Sequence, residues 1–462
     1  MQIAAVNPDS SPASRFLDFM PFLWYNNADS SARNRQDDAH NYSEIIKIRS
    51  KNPMANESKD RRSIMKICAV ICECNPIHNG HAYLFRRIRE AGAAGIIAIM
   101  SGNAVQRGSL AIADKYIRAA CVMACGADLV LELPYPYACA GSEVFGTAGV
   151  WLAACLGADT LAFGSETGDA ELLQHAADAI RSADFISAYR ERVRAGAGTA
   201  GAWAETYREV CGSSLPGGAN DLLAVSYLAA IGKHRLPITV FPVKRIGSDY
   251  RADFLPADLP PSATAVRAYL KRTGRLPDTG IPEIAVRQLE GARADGRFPV
   301  CEDAAADMIL PLLRLAKEKD LKHIAGCGGG LSGRLCAAAR QSTTGSELMQ
   351  KLRTGNYPDA RLRRTLLFCL TGTTDADLHT LPAYTTLLAA SGTGRALLAG
   401  LRRNASVPIV TKPADRPAVP EALRQSRQSD LLDALYTLAM PQRRSADWFF
   451  KCSPTIDLTT IC

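Results

Sequence analysis

The stretch Glu73-Cys74-Asn75-Pro76-Ile77-His78-Asn79-Gly80-His81 sets two histidines three residues apart around an Asn-Gly pair, just after the apolar run Ile67 to Cys72. At a strand-to-helix turn, two imidazoles so spaced can aim their N–H groups at one phosphate. Gly80 removes the Cβ that would bar close approach of a nucleotide, and the helix N-terminus adds partial positive charge. Such donors suit the negative charge that builds on an α-phosphate under attack, where each well-placed donor is worth roughly 3–4 kcal/mol. His78 and His81 are therefore the catalytic candidates. A second phosphate-binding string follows downstream in Pro261-Ser262-Ala263-Thr264-Ala265-Val266-Arg267. Ser262 and Thr264 can cap a helix while leaving backbone N–H groups for distal phosphates, and Arg267 lies one turn further on.

Basic residues gather at the other end of the chain. From Leu331 onward there are 17 Lys+Arg against 10 Asp+Glu, so +7 of the total net charge of +8 lies there. Arg361, Arg363 and Arg364 crowd one short segment, and Arg402-Arg403 and Arg443-Arg444 recur later. Clustered arginine of this kind fits a polyanion held through its phosphates. Arg107, after a glycine-containing loop, is a further candidate for phosphate contact.

These groups need elements to hold them. Short β-rich runs at Ile67 to Cys72, Gly95 to Met100, Asp128 to Leu133, Thr160 to Phe163 and Ile238 to Val243 alternate with helix-like segments near 80–91, 113–125, 142–156 and 219–231. That alternation predicts an α/β fold with a doubly wound parallel sheet. Ligands of such sheets bind at the carboxyl ends of the strands, which is where the histidine loop falls. From about residue 276 the pattern turns mostly helical, with periodic apolar residues in Asp307 to Leu321, Arg361 to Leu370 and Asp430 to Leu438 and a glycine-rich break at 326–330. We therefore expect a nucleotide-binding domain over 65–275 and a mainly helical, basic domain over 276–462. Residues 1–64 are polar and aperiodic, so they are expected to be disordered or not natively translated, with Met65 as the expected start.

The chain has no apolar run long enough for a membrane span and no secretory signal pattern, so a cytoplasmic location is expected. Its 14 cysteines show no paired CxxC spacing that would suggest structural zinc, and no metal site is assigned. Cys68, Cys72 and Cys74 read as core. Asp114-Lys115 is either a surface pair at a helix start or a contributor to catalysis. Glu73 either orients a histidine or solvates its loop.

The His-Asn-Gly-His string resembles the HxGH signature of the nucleotidyltransferase superfamily. Further strings narrow the resemblance: Met100-Ser101-Gly102-Asn103-Ala104-Val105-Gln106-Arg107-Gly108, Asp128 to Pro134, Phe163-Gly164-Ser165-Glu166, Asn220, Val243-Lys244-Arg245-Ile246-Gly247, Arg361 to Arg364 and Val407 to Asp415. In this order they are similar to the bacterial tRNA(Met) cytidine acetate ligase family, over Met65 to Asp457. The resemblance implies that ATP and acetate form acetyl-adenylate with release of pyrophosphate. The acetyl group then passes to the wobble cytidine of elongator tRNA(Met), giving N4-acetylcytidine. It further implies that Ile71, Cys72, Glu73, Cys74, Asn75, Pro76, Ile77, His78, Asn79, Gly80, His81, Ala82, Tyr83 and Leu84 wrap the ATP, with Gly164, Asn220, Arg245 and Ile246 completing its site. Magnesium is expected on the triphosphate, and Arg107, Arg361, Arg363 and Arg364 become candidates to grip tRNA. Cys74 stands where the family pattern leads one to expect an aromatic residue. Two other readings remain open at this stage: a small-molecule adenylyltransferase, which would not need the basic C-terminal half, and a tRNA-binding protein without catalysis, against which the intact histidines argue. The acid bound, the tRNA chosen, the base that deprotonates the cytidine and the oligomeric state are not fixed by the residues.

Overall fold

The structure, a computed structural model, describes residues 67–195, 199–212, 217–246, 261–354, 357–412, 415 and 418–456. The N-terminal stretch 1–64 lies outside the described residues, as do Gly247, Asp457 and part of the 407–415 string.

The alternating pattern becomes β1 (Ile67–Cys72), α1 (Asn79–Glu90), β2 (Gly95–Ser101), α2 (Lys115–Ala124), β3 (Leu129–Leu133), α3 (Ser142–Cys155), β4 (Thr160–Ser165), α4 (Ala219–His234) and β5 (Thr239–Lys244). These five strands pair in parallel in the order β5-β4-β1-β2-β3. Helices cover both faces, which is why β2 and β3 are buried along their whole length and read as apolar runs interrupted by Ser101 at the end of β2 and Glu132 in β3. On one face Phe145, Trp151 and Tyr227 pack on Leu161 and Phe163. On the other, Phe85, Ile88, Ile117 and Val122 cover Val70 and Ala98, and here Cys68, Cys72 and Cys74 are core. The strand order reverses between β1 and β4, so the loops after those two strands splay apart and open a crevice at the carboxyl edge. Between β4 and α4 the chain adds three helices that the sequence reading did not resolve, Ala170–Arg181, Ala183–Arg194 and Thr199–Cys211.

α5 (Ala263–Thr273) ends just before residue 275, and past it come α6 (Glu283–Ala294), a set of short helices over 304–352, and α7 (Asp359–Thr371). The chain then returns to the sheet as β6 (Thr385–Ala390), followed by α8 (Gly392–Asn404), β7 (Ile409–Val410), α9 (Pro420–Ala439) and β8 (Thr455–Ile456). β6 runs antiparallel to β3, with Leu129 opposite Ala390 and Leu131 opposite Leu387, and both β7 and β8 pair with β6. An uncovered β3 would expose a row of unpaired N–H and C=O groups, and β6 satisfies them. The cores are shared as well: Leu270, Leu289 and Phe298 pack with Phe85 and Ile88, while Ala104, Val105 and Tyr135 pack with Leu366 and Tyr436. The helical half is built onto the sheet. No helix among the described residues is long and apolar enough to cross a membrane.

Asp114-Lys115 is not a surface pair. Asp114 is fully buried and Lys115 is 4% exposed. Asp114 caps α2, its Oδ1 accepting from the N–H groups of Tyr116 and Ile117. The Lys115 ammonium donates to both carboxylate oxygens of Glu132 on β3, at 3.0 and 2.9 Å, and to Oδ2 of Asp433 on α9 at 2.7 Å. Asn103 closes the cluster: its Nδ2 donates to Asp433 and its Oδ1 accepts from the Lys115 N–H, both at 2.8 Å. Burial opposes the lysine charge, but Asp433 and Glu132 outweigh it and hold the ammonium well above its usual range. Replacing Lys115 with Met leaves two carboxylates buried without their cation, a loss of about 3–5 kcal/mol. Denaturant unfolding should show a lower midpoint for Lys115→Met with far-UV circular dichroism retained under native conditions; an unchanged midpoint would contradict this role for the cluster.

Candidate active site

The loop leaving β1 is held by main-chain hydrogen bonding to buried side chains. Arg118 on α2, 1% exposed, donates from Nη1 to the carbonyl of Glu73 at 2.7 Å, from Nε to that of Ala113 at 2.9 Å, and from Nη2 to those of Ser101 and Gly102. Asn75 is buried, its Oδ1 accepting from the Ile112 N–H at 2.9 Å and its carbonyl accepting from Arg267 Nη1 at 2.7 Å. Between them Cys74 takes a left-handed φ of 46°, which turns the chain toward α1.

α1 starts on a reciprocal cap made by the histidine pair. His78 Nδ1 accepts from the Gly80 N–H at 3.1 Å, and His81 Nδ1 accepts from the His78 N–H at 3.2 Å. The two rings lie 3.9 Å apart, tilted by 43°. Because each Nδ1 is an acceptor, the proton of each neutral imidazole must sit on Nε2. Neither Nε2 has a partner among the described residues, and both rings line the cavity. A Cβ on Gly80 would lie 2.8 Å from Cε1 of His78, so glycine is needed for the ring to fold over the helix start. Burial, then the neighbouring charge of Arg245, lowers His81 to about 4; burial, His81 and Arg245 together hold His78 well below the usual histidine range. At neutral pH the pair offers two N–H donors and no positive charge.

The cavity between β1 and β4 measures about 690 Å³, within the range of small-ligand sites. Of the candidate residues, Ile71, Cys72, Glu73, Cys74, Asn75, His78, Gly80, His81, Tyr83, Leu84, Gly164, Asn220, Arg245, Ile246, Ser262, Thr264 and Arg267 line it, together with Arg107 and Arg363. Pro76, Ile77, Asn79 and Ala82 do not: Ile77 points into the core, and Asn79 is exposed with its N–H donating to the Gly280 carbonyl at 2.9 Å. Arg245 lies over Gly164, where an added Cβ would meet its side chain at an ordinary contact distance of 3.4 Å. The Asn220 amide donates to Glu166 Oε1 at 2.6 Å, and Glu166 Oε2 accepts from the Asp221 N–H at 2.8 Å, so Glu166 fixes the start of α4 against β4. Ser262 caps α5, its Oγ accepting from the Ala265 N–H, and the Thr264 hydroxyl is buried without a hydrogen-bond partner at the cavity wall. Arg267 is committed to Asn75 and to Glu302, 2.8 Å from its Nε, so its first task is to brace the loop.

The arginines of α7 separate. Arg363 reaches the cavity wall and pairs with Asp303 at 3.0 Å. Arg361 lies over the Tyr357 ring, 5.0 Å from its centre. Arg364, expected on the tRNA-gripping face, is half-buried and donates from Nη1 to the Gln106 carbonyl at 3.1 Å. Gly108, at φ 82°, makes this approach feasible, because a Cβ there would sit 2.5 Å from the Arg364 backbone nitrogen. Glu73 reaches the same residue, its Oε1 accepting from the Gln106 N–H at 2.8 Å, a contact that neither role considered for it from sequence foresaw. Sequence reasoning missed Arg118 and the aromatic wall of Phe145, Phe163 and Tyr227; a lone arginine inside the apolar helix 117–125 was the available signal for the first. Among the described residues no group of three or more His, Cys, Asp or Glu is placed to hold a metal ion. Two oriented N–H donors, a helix N-terminus and converging arginines make a site for a polyphosphate, with the donors on the phosphate that meets α1.

Comparison with known proteins bears on this arrangement. The model of the family described as HIGH Nucleotidyl Transferase matches residues 65–447. A protein of Syntrophotalea carbinolica named tRNA(Met) cytidine acetate ligase is 33% identical over 358 residues, 75% of this chain and 85% of its own. A protein of the same name from Bacillus licheniformis is 34% identical over 367 residues, 75% of this chain and 87% of its own. Among solved structures, Thermotoga maritima TmcAL in its apo form superposes with a TM-score of 0.78 at 27% identity, covering 85% of this chain and 99% of that one. The same protein bound with alpha-thio ATP gives 0.77.

The low basicity of the histidines sets a sign for pH dependence. A folded-state value below the unfolded one means that the unfolded chain binds the extra proton, so this contribution to stability is whole above about 6.5 and is lost as pH falls toward about 4. An NMR titration should therefore find the His81 ring neutral at pH 5.5; a midpoint near 6.5 would refute the burial and charge argument.

Proposed function

We propose, from the premise that the chain belongs to the HIGH nucleotidyl transferase family and within it to the tRNA(Met) cytidine acetate ligases, that it joins acetate to ATP and acetylates a tRNA cytidine. In the first step an acetate oxygen attacks the α-phosphorus and pyrophosphate leaves, giving acetyl-adenylate. In the second the exocyclic amine of the wobble cytidine of elongator tRNA(Met) attacks the acetyl carbonyl, and AMP leaves.

The observation that carries this reading is the reciprocal histidine cap, which leaves two uncharged Nε2–H donors in the wall of the cavity at the topological switch. Uncharged donors held by the backbone need no reorganisation as charge develops on the α-phosphoryl oxygens. Arg245 supports the same phosphates as a planar fork. Magnesium would enter with the triphosphate and neutralise its distal charge, held by phosphate oxygens more than by the protein. The basic surface of residues 276–462, beginning with Arg363 at the mouth of the cavity and Arg361 beside it, is where the tRNA backbone is read as docking, and Arg107 faces the same opening. ATP, acetate and tRNA are all met in the cytoplasm.

Two measurements test the assignment. Labelled acetate should enter purified elongator tRNA(Met) only with ATP present, and His81→Ala should lower the rate by about 10²–10³. Pyrophosphate release that ignores acetate and tRNA would instead support a small-molecule adenylyltransferase. Arg363→Ala should weaken tRNA binding and lower the slope of log affinity against log salt by about one; an unchanged slope would remove Arg363 from the tRNA surface.

A further inference from the structure

The acetyl-transfer step of the reaction read above requires that a proton leave the cytidine amine, and we infer that the Glu73 carboxylate takes it. Proton acceptors of suitable strength near neutrality are imidazoles and carboxylates. Among the described residues the cavity wall holds four: His78, His81, Glu73 and Asp359. Both histidines are excluded by their hydrogen bonds, because each spends its lone pair on a backbone N–H through Nδ1 and carries its proton on Nε2. Asp359 is engaged through both oxygens by Arg353, Oδ1 with Nε at 3.0 Å and Oδ2 with Nη2 at 2.7 Å.

Glu73 differs from Asp359 in keeping one carboxylate oxygen out of any ion pair or hydrogen bond among the described residues. It is half-buried just past the carboxyl end of β1 and lines the same cavity as the histidine cap and Arg107. Its Oε1 is fixed by the Gln106 N–H at 2.8 Å, and its Oε2 has no partner among the described residues. Its own carbonyl is gripped by Arg118 at 2.7 Å, so the backbone that carries the carboxylate is also immobilised. The residue that positions it is held on its other side as well: the Gln106 carbonyl, in the next peptide unit, accepts from Arg364 of α7, the helix whose Arg363 lines the cavity. The carboxylate is thus set by a hydrogen-bonded path from the basic half, Arg364 to Gln106 to Glu73. Arg364 is a positioning residue in this path and not a tRNA contact.

The step balances without any further reactant. The bond from the cytidine N4 to the acetyl carbon forms, the bond from that carbon to the phosphate oxygen breaks with its electron pair leaving on AMP, and the N4 proton passes to Glu73 and then to solvent. Glu73→Gln keeps an acceptor for the Gln106 N–H and removes the base, so it separates the two roles of the side chain. The test compares acetate-dependent ATP–pyrophosphate exchange with single-turnover transfer of labelled acetyl from preformed adenylate to tRNA, in the full-length protein. We expect the ratio of transfer to exchange to fall by about a hundredfold or more in Glu73→Gln, and to recover in part in Glu73→Asp, which restores a carboxylate. An unchanged ratio would overturn the inference and leave the adenylate phosphate as the proton acceptor. Equal loss in both half-reactions, with no recovery in Glu73→Asp, would overturn it by reducing Glu73 to a brace for Gln106. A wild-type protein with no acetate-dependent exchange would instead overturn the reaction itself, whatever Glu73 does.

Discussion

Arg118 carries a full charge at 1% exposure, and its donors end on main-chain carbonyls, those of Glu73, Ser101, Gly102 and Ala113. A buried guanidinium is costly unless its donors are met, and carbonyls at strand ends meet them while losing nothing they need for the sheet. Three chain segments therefore converge on one side chain: the loop after β1, the loop after β2 and the entry to α2. The histidine cap, the base candidate and the Gln106 peptide all hang from those segments. Without this clamp the groups around the cavity would each rest on a separate loop.

The second constraint comes from the opposite end of the chain. Asp433 on α9 supplies the second carboxylate to the buried pair of Glu132 on β3 and Lys115 on α2, and β6 pairs with the edge of β3. The half of the protein read as gripping tRNA therefore also finishes the nucleotide-binding sheet. α7 belongs to both tasks, since Arg363 lines the cavity while Arg364 braces the Gln106 residue that Glu73 of the histidine loop also holds.

This division explains what could be read from the sequence. β1 to β5 and the helices between them were legible because each is signalled by a local apolar period, and the histidine cap because all its partners lie within four residues. The cavity-lining role of Gly164, Asn220 and Arg245 was legible only through family likeness, as nothing near them in the chain announces it. Lys115 was misread because its two carboxylates lie 17 and 318 residues away, beyond any local pattern. β6 escaped notice for a related reason: Thr385–Ala390 is a short strand whose partner was made some 250 residues earlier, and the helical pattern around it set the expectation for the whole half. Arg364 looked like its neighbours in sequence, and its hydrogen bond to the Gln106 carbonyl, beside the close backbone approach at Gly108, shows that it turns inward.

The antiparallel closure by β6 also bears on how the protein comes into being. A ribosome adding about 5–20 residues per second needs roughly 10–50 s to pass from β3 to β6. Throughout that interval the nascent chain carries an open strand edge beside a buried lysine and glutamate that still lack Asp433. The fold is thus sealed late, from its C-terminal end, and the emerging polypeptide depends on being shielded from its neighbours until the last hundred residues arrive.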